Sequence, residues 1–330
     1  MHNTKPLISI AITTYDRVSL LEETINSVLN QSYSNIEVLI GNDNTKRDIK
    51  SLFPNIDDNR IKWINHEHSL GYIDNVNKLF DMSAGDYFTT ISDDDLLDFD
   101  FLQKMLNIFI SNKRINVVFS NFIAFNSLNE IKNLKQKYFK IDVLFLNSNE
   151  WILGYLKKKY ISIGCYGLFK KDFFKKIGGV RTLGDDPGFS PYNDNLLSLE
   201  SARSNLIAYT YEPLVYYRMH LDSPSYTNKS LSAYFTAQQD FIKYANHIFS
   251  LDKNPKNTKI YFQSLITWFF SDYCFVIRRS GKLTNSNLFN YLKFVKKYTS
   301  SNLYFLNKII LLLKHIIIMY IRNFKVAING

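Results

Sequence analysis

The feature that most constrains this chain is the strict alternation of strand-like and helix-like segments over its first 125 residues. Residues 7–12 are a short apolar run of the kind buried in a parallel sheet. Residues 18–29 follow with Leu21, Ile25, Val28 and Leu29 at helical spacing, and with Glu22 and Glu23 in the early turns, where a helix dipole favours acids. Residues 36–40 and 60–65 read as strands, and 71–82 as a helix with Ile73, Val76, Leu79 and Phe80 inward. A strand at 87–91, a helix at 99–110 and a strand at 117–122 continue the rhythm. Parallel neighbours need crossover connections, so this order predicts an α/β, Rossmann-like, mostly parallel sheet with helices on both faces.

After Phe125 the rhythm breaks. Residues 126–160 are polar and lysine-rich, turn helical around 151–158, and read as an insertion or lid. Strand signals return at 163–169 and at 214–217. From Leu231 onward only helical patterning remains, with breaks near Pro255, Gly281 and Ser300-Ser301. The chain is 46% hydrophobic and 21% charged, which supports a sizeable core and excludes disorder as the main state.

Charge divides the chain unevenly. Residues 251–330 hold 13 Lys and Arg against Asp252 and Asp272, whereas everything before them is nearly neutral. A basic, aromatic tail suits an anionic partner, a membrane surface or a nucleic acid. Residues 303–328 are strongly apolar, with polar residues recurring at Asn307/Lys308, Lys314/His315 and Arg322. That spacing is two helical turns, and Lys314-His315 would sit at the centre of a spanning helix. A helix lying in the plane of a membrane, with lysines on anionic headgroups, fits better than one crossing it; packing on the rest of the chain or on another subunit is the competing reading. Met1 to Pro6 run straight into the first strand without the apolar core of a signal peptide, and two cysteines make no disulfide framework. The expected setting is therefore cytoplasmic and reducing, peripheral at the inner face of the membrane.

In an open α/β sheet, ligands bind beyond the carboxyl ends of the strands. Polar clusters fall at three such ends: Thr13-Thr14-Tyr15-Asp16-Arg17, Asn42-Asp43-Asn44-Thr45 and Ser92-Asp93-Asp94-Asp95. Three adjacent carboxylates repel one another and call for a cation; hard oxygen donors select Mg²⁺ or Mn²⁺, commonly together with phosphates. Asp98 or Asp100 suits the cap of the following helix. No G-x-G-x-x-G, P-loop or H-E-x-x-H pattern is present, and His66 with His68 reads as structural.

These residues carry a resemblance. Residues 8–17 resemble the opening strand and loop of family 2 glycosyltransferases with the GT-A fold. The likeness continues through 27–33, 37–45, Gly85-Asp86-Tyr87 and Ser92-Asp93-Asp94-Asp95, is dense over 6–125 and thins towards 225. It implies a GT-A catalytic domain over 1–228, with its nucleotide-binding half to about residue 125 and its acceptor half beyond, then a basic helical region over 229–330. By resemblance Thr13, Tyr15 and Asp43 hold the nucleotide base, usually uracil, with Arg17 among the nucleotide-sugar-binding residues. Asp93 and Asp94 match acidic positions of the D-x-D signature that serve the ribose and the metal-bridged diphosphate, and Asp94 with Asp95 are the implied ligands of Mg²⁺ or Mn²⁺. The chain departs from the family pattern at Ser92 and Asn42, each in place of an Asp, and lacks the Arg often found before Asn75.

Further along, 167–171, Ile177-Gly178-Gly179 and Tyr192-Asn193-Asp194 resemble the family's acceptor-side segment. This assigns Asp194 as catalytic base, with Asn193 in the position of a Glu; Asp185 and Asp186 are rivals close by. Direct displacement needs one base on the acceptor hydroxyl while metal and donors stabilise the leaving diphosphate. Arg218 and His220 resemble a later R-x-H segment able to close over that diphosphate. The implied activity is inverting transfer of a sugar (hexosyl or N-acetylhexosaminyl) from a nucleotide-diphosphate donor, a UDP-sugar, to a glycan or lipid-linked acceptor of a bacterial capsule or lipopolysaccharide. A sugar-phosphate nucleotidyltransferase is the alternative enzyme, although Asp16-Arg17-Val18 offers one Arg and no Gly for a triphosphate grip. A nucleic-acid-binding protein is the alternative of another class; the tail aromatics follow helical periodicity, so no nucleic acid is expected. Oligomeric state is not legible from these residues.

Overall fold

The computed structural model describes residues 5–136, 142–186, 189–220, 227–228, 230–280, 285–299 and 307–317. Its strands are β1 (Ile8–Thr14), β2 (Ile36–Asn42), β3 (Ile61–Asn65), β4 (Tyr87–Ser92), β5 (Leu96–Leu97), β6 (Val117–Phe125), β7 (Val143–Leu146), β8 (Leu168–Lys170) and β9 (Ile207–Arg218). The first helices are α1 (Val18–Leu29), α2 (Gly71–Met82), α3 (Phe101–Ser111), α4 (Leu128–Lys135), α5 (Ser148–Leu156), α6 (Lys171–Ile177) and α7 (Asn193–Glu200). Then come α8 (Leu231–Phe249), α9 (Pro255–Ser280), α10 (Asn285–Tyr298) and α11 (residues 307–317). The described residues fall into two compact units: 1–151 with 158–182 and 193–220, and 152–157 with 183–192 and 221–330.

The first unit is built on a mixed, mostly parallel sheet in the order β3-β2-β1-β4-β8-β6-β9-β5, with β7 on β9. β1 and β2 are buried along their whole length, as strands covered on both faces must be. Parallel register places Thr14 opposite Asn42 and Thr13 opposite Ser92, so the carboxyl ends of β1, β2 and β4 share one edge. β5 then pairs Leu96 with Tyr216, which carries the 93–95 segment to the end of β9. The α/β sheet expected from the alternation is therefore observed.

Three segments differ from their sequence patterns. Residues 163–169 form a 3₁₀ turn, Gly164–Tyr166, followed by the short antiparallel β8. The apolar residues there serve a tight packing against α7 rather than a strand: a Cβ on Gly164 would lie 2.0 Å from the Asp194 carbonyl oxygen. The strand expected at 214–217 is the last third of the twelve-residue β9, its first part masked in sequence by Glu212 and Pro213. Residues 126–160 are no simple lid, since they contribute β7 and α5. Trp151 is fully buried between Phe119 and Tyr160, and its indole N–H donates to Ser198 O at 2.7 Å.

In the second unit α9 is the central helix, with Leu265, Phe269, Phe270, Tyr273, Cys274 and Ile277 buried. By length and composition α9 is apolar enough to cross a membrane, but half of that stretch is buried inside the protein. Gln238 of α8, fully buried, donates to Tyr192 Oη at 2.9 Å and to Phe269 O at 3.1 Å. Most of the 303–328 segment lies outside the described residues. Over 307–317 the polar stripe does not face outward as a whole: Lys308 is buried with its ammonium 5.4 Å from the Phe270 ring centre, while Lys314 is exposed. Ile310, Leu313 and Ile317 form an exposed apolar stripe instead. The long Lys308 stem packs as an apolar group, and a ring face compensates its charge.

One close contact sets the edge where the site forms. Asn75 of α2 donates to Gly41 O at 2.9 Å and accepts from His66 Nε2 at 2.9 Å, the structural role expected for that histidine. A Cβ on Gly41 would stand 2.1 Å from Asn75 Oδ1. Gly41→Ala should therefore destabilise the protein by about 1–3 kcal/mol, the usual cost of overpacking, read as a lower urea midpoint at unchanged slope.

Candidate active site

The site grows from the shared strand edge. Asp93, Asp94 and Asp95 leave the end of β4 and are all buried. Thr14 Oγ1 donates to Asp93 Oδ2 at 2.7 Å, and Arg17 donates to Asp93 Oδ1 at 3.1 Å and to Asp94 Oδ2. His220 Nε2 donates to the same Asp94 oxygen at 2.9 Å. From the end of β9, Arg218 donates its backbone N–H to Asp95 Oδ1 at 2.7 Å and its Nε–H to Asp94 O at 2.8 Å. The same guanidinium pairs with Glu23 and lies 4.7 Å from the Phe125 ring centre. Glu23, read in sequence as a dipole partner of α1, is thus the anchor of Arg218. Tyr166 donates its hydroxyl to Asp95 Oδ2, and its oxygen also lies 3.0 Å from Ser92 Oγ.

Two arginines leave this acidic block undercompensated. Burial pushes Asp93 up to about 6, against the opposing pull of Arg17 and Thr14. Burial and then the neighbouring Asp94 charge push Asp95 up to about 8, against Tyr166 and Arg218. Both carboxylates therefore hold protons that an ionised Asp in water would have lost. The acids fit a hard cation in charge and donor type. Asp94 Oδ1 takes no hydrogen bond among the described residues, whereas both Asp95 oxygens are occupied by Tyr166 and Arg218.

The expected base-binding residues stand beside this block. Thr13 is buried in β1, Tyr15 is largely exposed at the rim, and the Tyr15 N–H donates to Asp93. Asp43 has a role that sequence reading missed. Its carboxylate accepts from Ser69 Oγ at 2.7 Å, Leu70 N at 2.5 Å and Gly71 N at 2.9 Å, which satisfies amides at the N-terminus of α2. Asn42 ties its amide to Asn44 O, Arg47 O and Asn65 Oδ1, so it builds the loop. Asp98 accepts from Lys135 and Tyr216 rather than capping through its side chain alone, and Asp100 precedes α3 without a side-chain cap bond.

Asp194 opens α7, half-buried, and accepts from Cys165 N at 3.3 Å. Loss of hydration raises its pKa, and the neighbouring Cys165 only partly offsets that rise. Asp194 and the triplet share two neighbours: Tyr72 feels the charges of Asp194 and Asp95, and Tyr217 those of Asp95, Asp94 and Asp194. The structure thus brings Arg17, Asp93, Asp94, Asp95, Arg218 and His220 into one network, with Asp194 linked to it through the adjacent residues Cys165 and Tyr166. Of the rivals, Asp185 belongs to the other unit, where it accepts from Thr236 Oγ1 at 2.8 Å. Thr14, Glu23, Tyr72, Cys165, Tyr166 and Tyr217 were missed. Thr14 and Tyr217 had signals, the one in the polar cluster at the end of the first strand and the other next to Arg218.

The raised carboxylates make stability depend on pH. An unfolded Asp titrates near 3.9, while Asp93 and Asp95 titrate in the fold at about 6 and about 8. Between those values these two groups bind more protons in the native state than in the unfolded chain, so the stability they contribute is fully present below about pH 4 and is lost as pH rises to about 8. Thermal unfolding in EDTA should show this loss between pH 5 and pH 8, and Asp95→Asn should flatten it. A slope unchanged by Asp95→Asn would reject the assignment.

Comparison with known proteins agrees with this geometry. The sequence profile of "Glycosyl transferase family 2" matches residues 9–178, just over half of the chain. Over 241 residues the chain is 27% identical to GalNAc(5)-diNAcBac-PP-undecaprenol beta-1,3-glucosyltransferase of Campylobacter jejuni, covering 72% of this chain and 67% of that protein. Two further relatives, uncharacterised glycosyltransferases of Haemophilus influenzae, match over only 36% and 44% of their own length. Among solved structures, residues 1–349 of Staphylococcus aureus TarS bound to UDP-GlcNAc superpose with a TM-score of 0.56 at 15% identity, over 88% of this chain and 87% of that one. The mannosyltransferase PcManGT of Pyrobaculum calidifontis, solved with GDP-Man and Mn²⁺, gives 0.52 at 13% identity, over 98% and 88%. These matches favour neither a nucleotidyltransferase nor a nucleic-acid-binding protein. The strand-edge acids, the sheet that carries them and the matched profile converge on one conclusion: this chain belongs to glycosyl transferase family 2 and is a glycosyltransferase of the GT-A fold.

Proposed function

We propose that the enzyme transfers a sugar with inversion from a UDP-sugar to a lipid-linked glycan acceptor in bacterial surface polysaccharide synthesis. One observation carries this reading. A buried acidic block gripped by Arg17, Arg218 and His220 and a separate carboxylate, Asp194, are held by neighbouring residues of one turn, Tyr166 bonding Asp95 and the Cys165 N–H bonding Asp194. Inverting transfer needs that division, with a site for the leaving diphosphate and one base for the acceptor hydroxyl. The name of the Campylobacter relative, which acts on an undecaprenol-linked glycan, supports the acceptor class.

Each residue then has a task. Thr13, Tyr15 and Asp43 form the base side, with Tyr15 the exposed aromatic face and Asp43 the rigid wall that α2 holds in place. Asp93 is fixed by Thr14 and Arg17 for the ribose. Asp94 would hold Mg²⁺ or Mn²⁺ through its open oxygen, with Asp95 fixed behind it by Tyr166 and Arg218; such an ion supplies Lewis-acid stabilisation of the leaving diphosphate. Arg17 and His220, now resting on Asp94, are the donors for diphosphate oxygens. Asp194 removes the acceptor proton, and its raised pKa makes it a stronger base than a hydrated carboxylate.

Asp94→Asn should abolish UDP release from a UDP-sugar and the divalent-dependent part of nucleotide binding while the protein stays folded. Asp194→Asn should leave donor binding nearly unchanged and lower turnover by ~10²–10⁴-fold, the usual worth of a general base. If Asp186→Asn shows that pattern and Asp194→Asn does not, the base is misassigned.

The second unit is proposed to hold the enzyme at the inner membrane face, where such acceptors lie. The support is the exposed stripe of Ile310, Leu313 and Ile317 beside Lys314, within a region that carries the chain's net positive excess. Replacing all three with Glu should cut co-sedimentation with anionic vesicles and spare nucleotide binding. The basic contribution, about 1 kcal/mol per Lys or Arg near the surface, should fade as salt rises. Equal vesicle binding by wild type and triple variant would sink this placement.

A further inference from the structure

The second unit carries a groove of about 1140 Å³ whose lining residues all belong to that unit. The lining recurs every three or four residues along two helices, from Phe235 to Asn246 on α8 and from Asn290 to Tyr298 on α10, so each helix turns one face to it. Four rings form a continuous floor. Phe235 meets Phe294 edge-on at 5.4 Å, and Phe294 meets Tyr298 edge-on at 5.5 Å. Tyr298 in turn stacks on Phe262 of α9 at 6.0 Å, with the planes 19° apart. Phe235, Phe262 and Tyr298 are only half-buried, which leaves ring surface open to water. The edges are polar. On the α8 side Asp185 accepts from Thr236 Oγ1 at 2.8 Å, while Asp240 accepts from Gly184 N at 3.0 Å and from Lys243 Nζ at 2.6 Å. Both carboxylates are thereby fixed, and Asp185 Oδ2 takes no hydrogen bond among the described residues. Lys293 and Lys297 stand on the α10 side. Two acids against three lysines, one of them already paired with Asp240, leave the groove close to neutral.

We propose that this groove binds a neutral oligosaccharide and is a glycan site separate from the one where transfer occurs. A pyranose ring has an apolar face of C–H bonds and a rim of hydroxyls. Flat aromatic rings on the floor match the face, and the carboxylate of Asp185 with the exposed amides of Gln239 and Asn290 matches the rim. The volume lies above the ~300–1,000 Å³ of a small-molecule pocket, which suits several linked sugars rather than one. A phosphate or a nucleotide would set its charge against Asp185 and Asp240. A lipid chain would strip water from the edge groups without replacing their hydrogen bonds. That the bound sugar is part of the enzyme's own acceptor rests on the glycan-acceptor reading; the binding itself does not. An acceptor held at one point on the chain reaches the transfer site at a raised effective concentration.

The test titrates the full chain, without nucleotide, with neutral oligosaccharides of increasing length built from glucose, galactose, mannose or N-acetylhexosamines, and reads the heat of binding. Saturable binding should appear for at least one series and tighten as units are added. Phe262→Ala and Tyr298→Ala should each weaken it by about tenfold, the effect of losing an aromatic anchor. Gln239→Ala combined with Asn290→Ala changes only exposed positions, so it should weaken binding several-fold at an unchanged melting temperature. That double variant decides the matter if the ring variants fail to fold. Asp94→Asn, which disables the transfer site, should bind the sugar as wild type does. Absence of saturable binding for every series overturns the proposal, as does binding that the groove variants leave intact or that Asp94→Asn abolishes. Binding of polyprenyl phosphate micelles in place of sugars, lost in the same groove variants, would make this a lipid site and overturn it as well. The measurement needs neither donor nor turnover, so its failure would leave the transfer reading standing, and a failed transfer reading would leave the sugar binding standing.

Discussion

Three adjacent carboxylates can stay buried at a strand edge only where the fold delivers opposite charge and donors to them. Here Arg17 arrives from the end of β1 and Arg218 from the end of β9, segments some two hundred residues apart in sequence. Arg218 is held in turn by Glu23 and the Phe125 ring, so α1 and β6 also serve the acids indirectly. The parallel register of β1, β2 and β4 and the short pairing of β5 on β9 are therefore the conditions under which the acidic block can exist. Its compensation is incomplete, as the raised Asp93 and Asp95 show, and that residual negative charge suits a site that binds a cation.

The chemistry of the site is asymmetric. On one side carboxylates are crowded, gripped and short of positive charge; on the other a single carboxylate sits at a helix start with a thiol and two tyrosines around it. Crowding suits charge stabilisation, and isolation with a raised pKa suits proton removal. Tyr72 and Tyr217, which neighbour both, stay neutral because burial raises both, so they add no charge.

The second unit follows a different logic. Its stability comes from aromatic side chains packed edge-to-face and tilted along α9, where Tyr192, Phe241, Trp268 and Phe269 meet around the buried amide of Gln238. Cohesion of that kind needs no particular charge, so exposed cations such as Lys314 can serve an anionic partner without loss of packing. The exposed apolar stripe on α11 gives such a partner an apolar surface to meet.

Local pattern was enough to place β1, α1, β2, α2, β4 and the acidic triplet, because hydrophobic periodicity and strand-end polarity are properties of short windows. The family was legible for the same reason, its motifs lying at those strand ends. What each polar side chain touches was not. Asp43 caps α2, Glu23 anchors Arg218, and Cys165 meets Asp194; in each case the partner is chosen by packing across the sheet rather than by neighbours in sequence. The full length of β9, the turn at Gly164–Tyr166 and the inward Lys308 have the same origin. Burial decides them, since a strand can carry Pro213 and a helix can bury a lysine only where a particular neighbour compensates the cost, and only the tertiary structure supplies that neighbour.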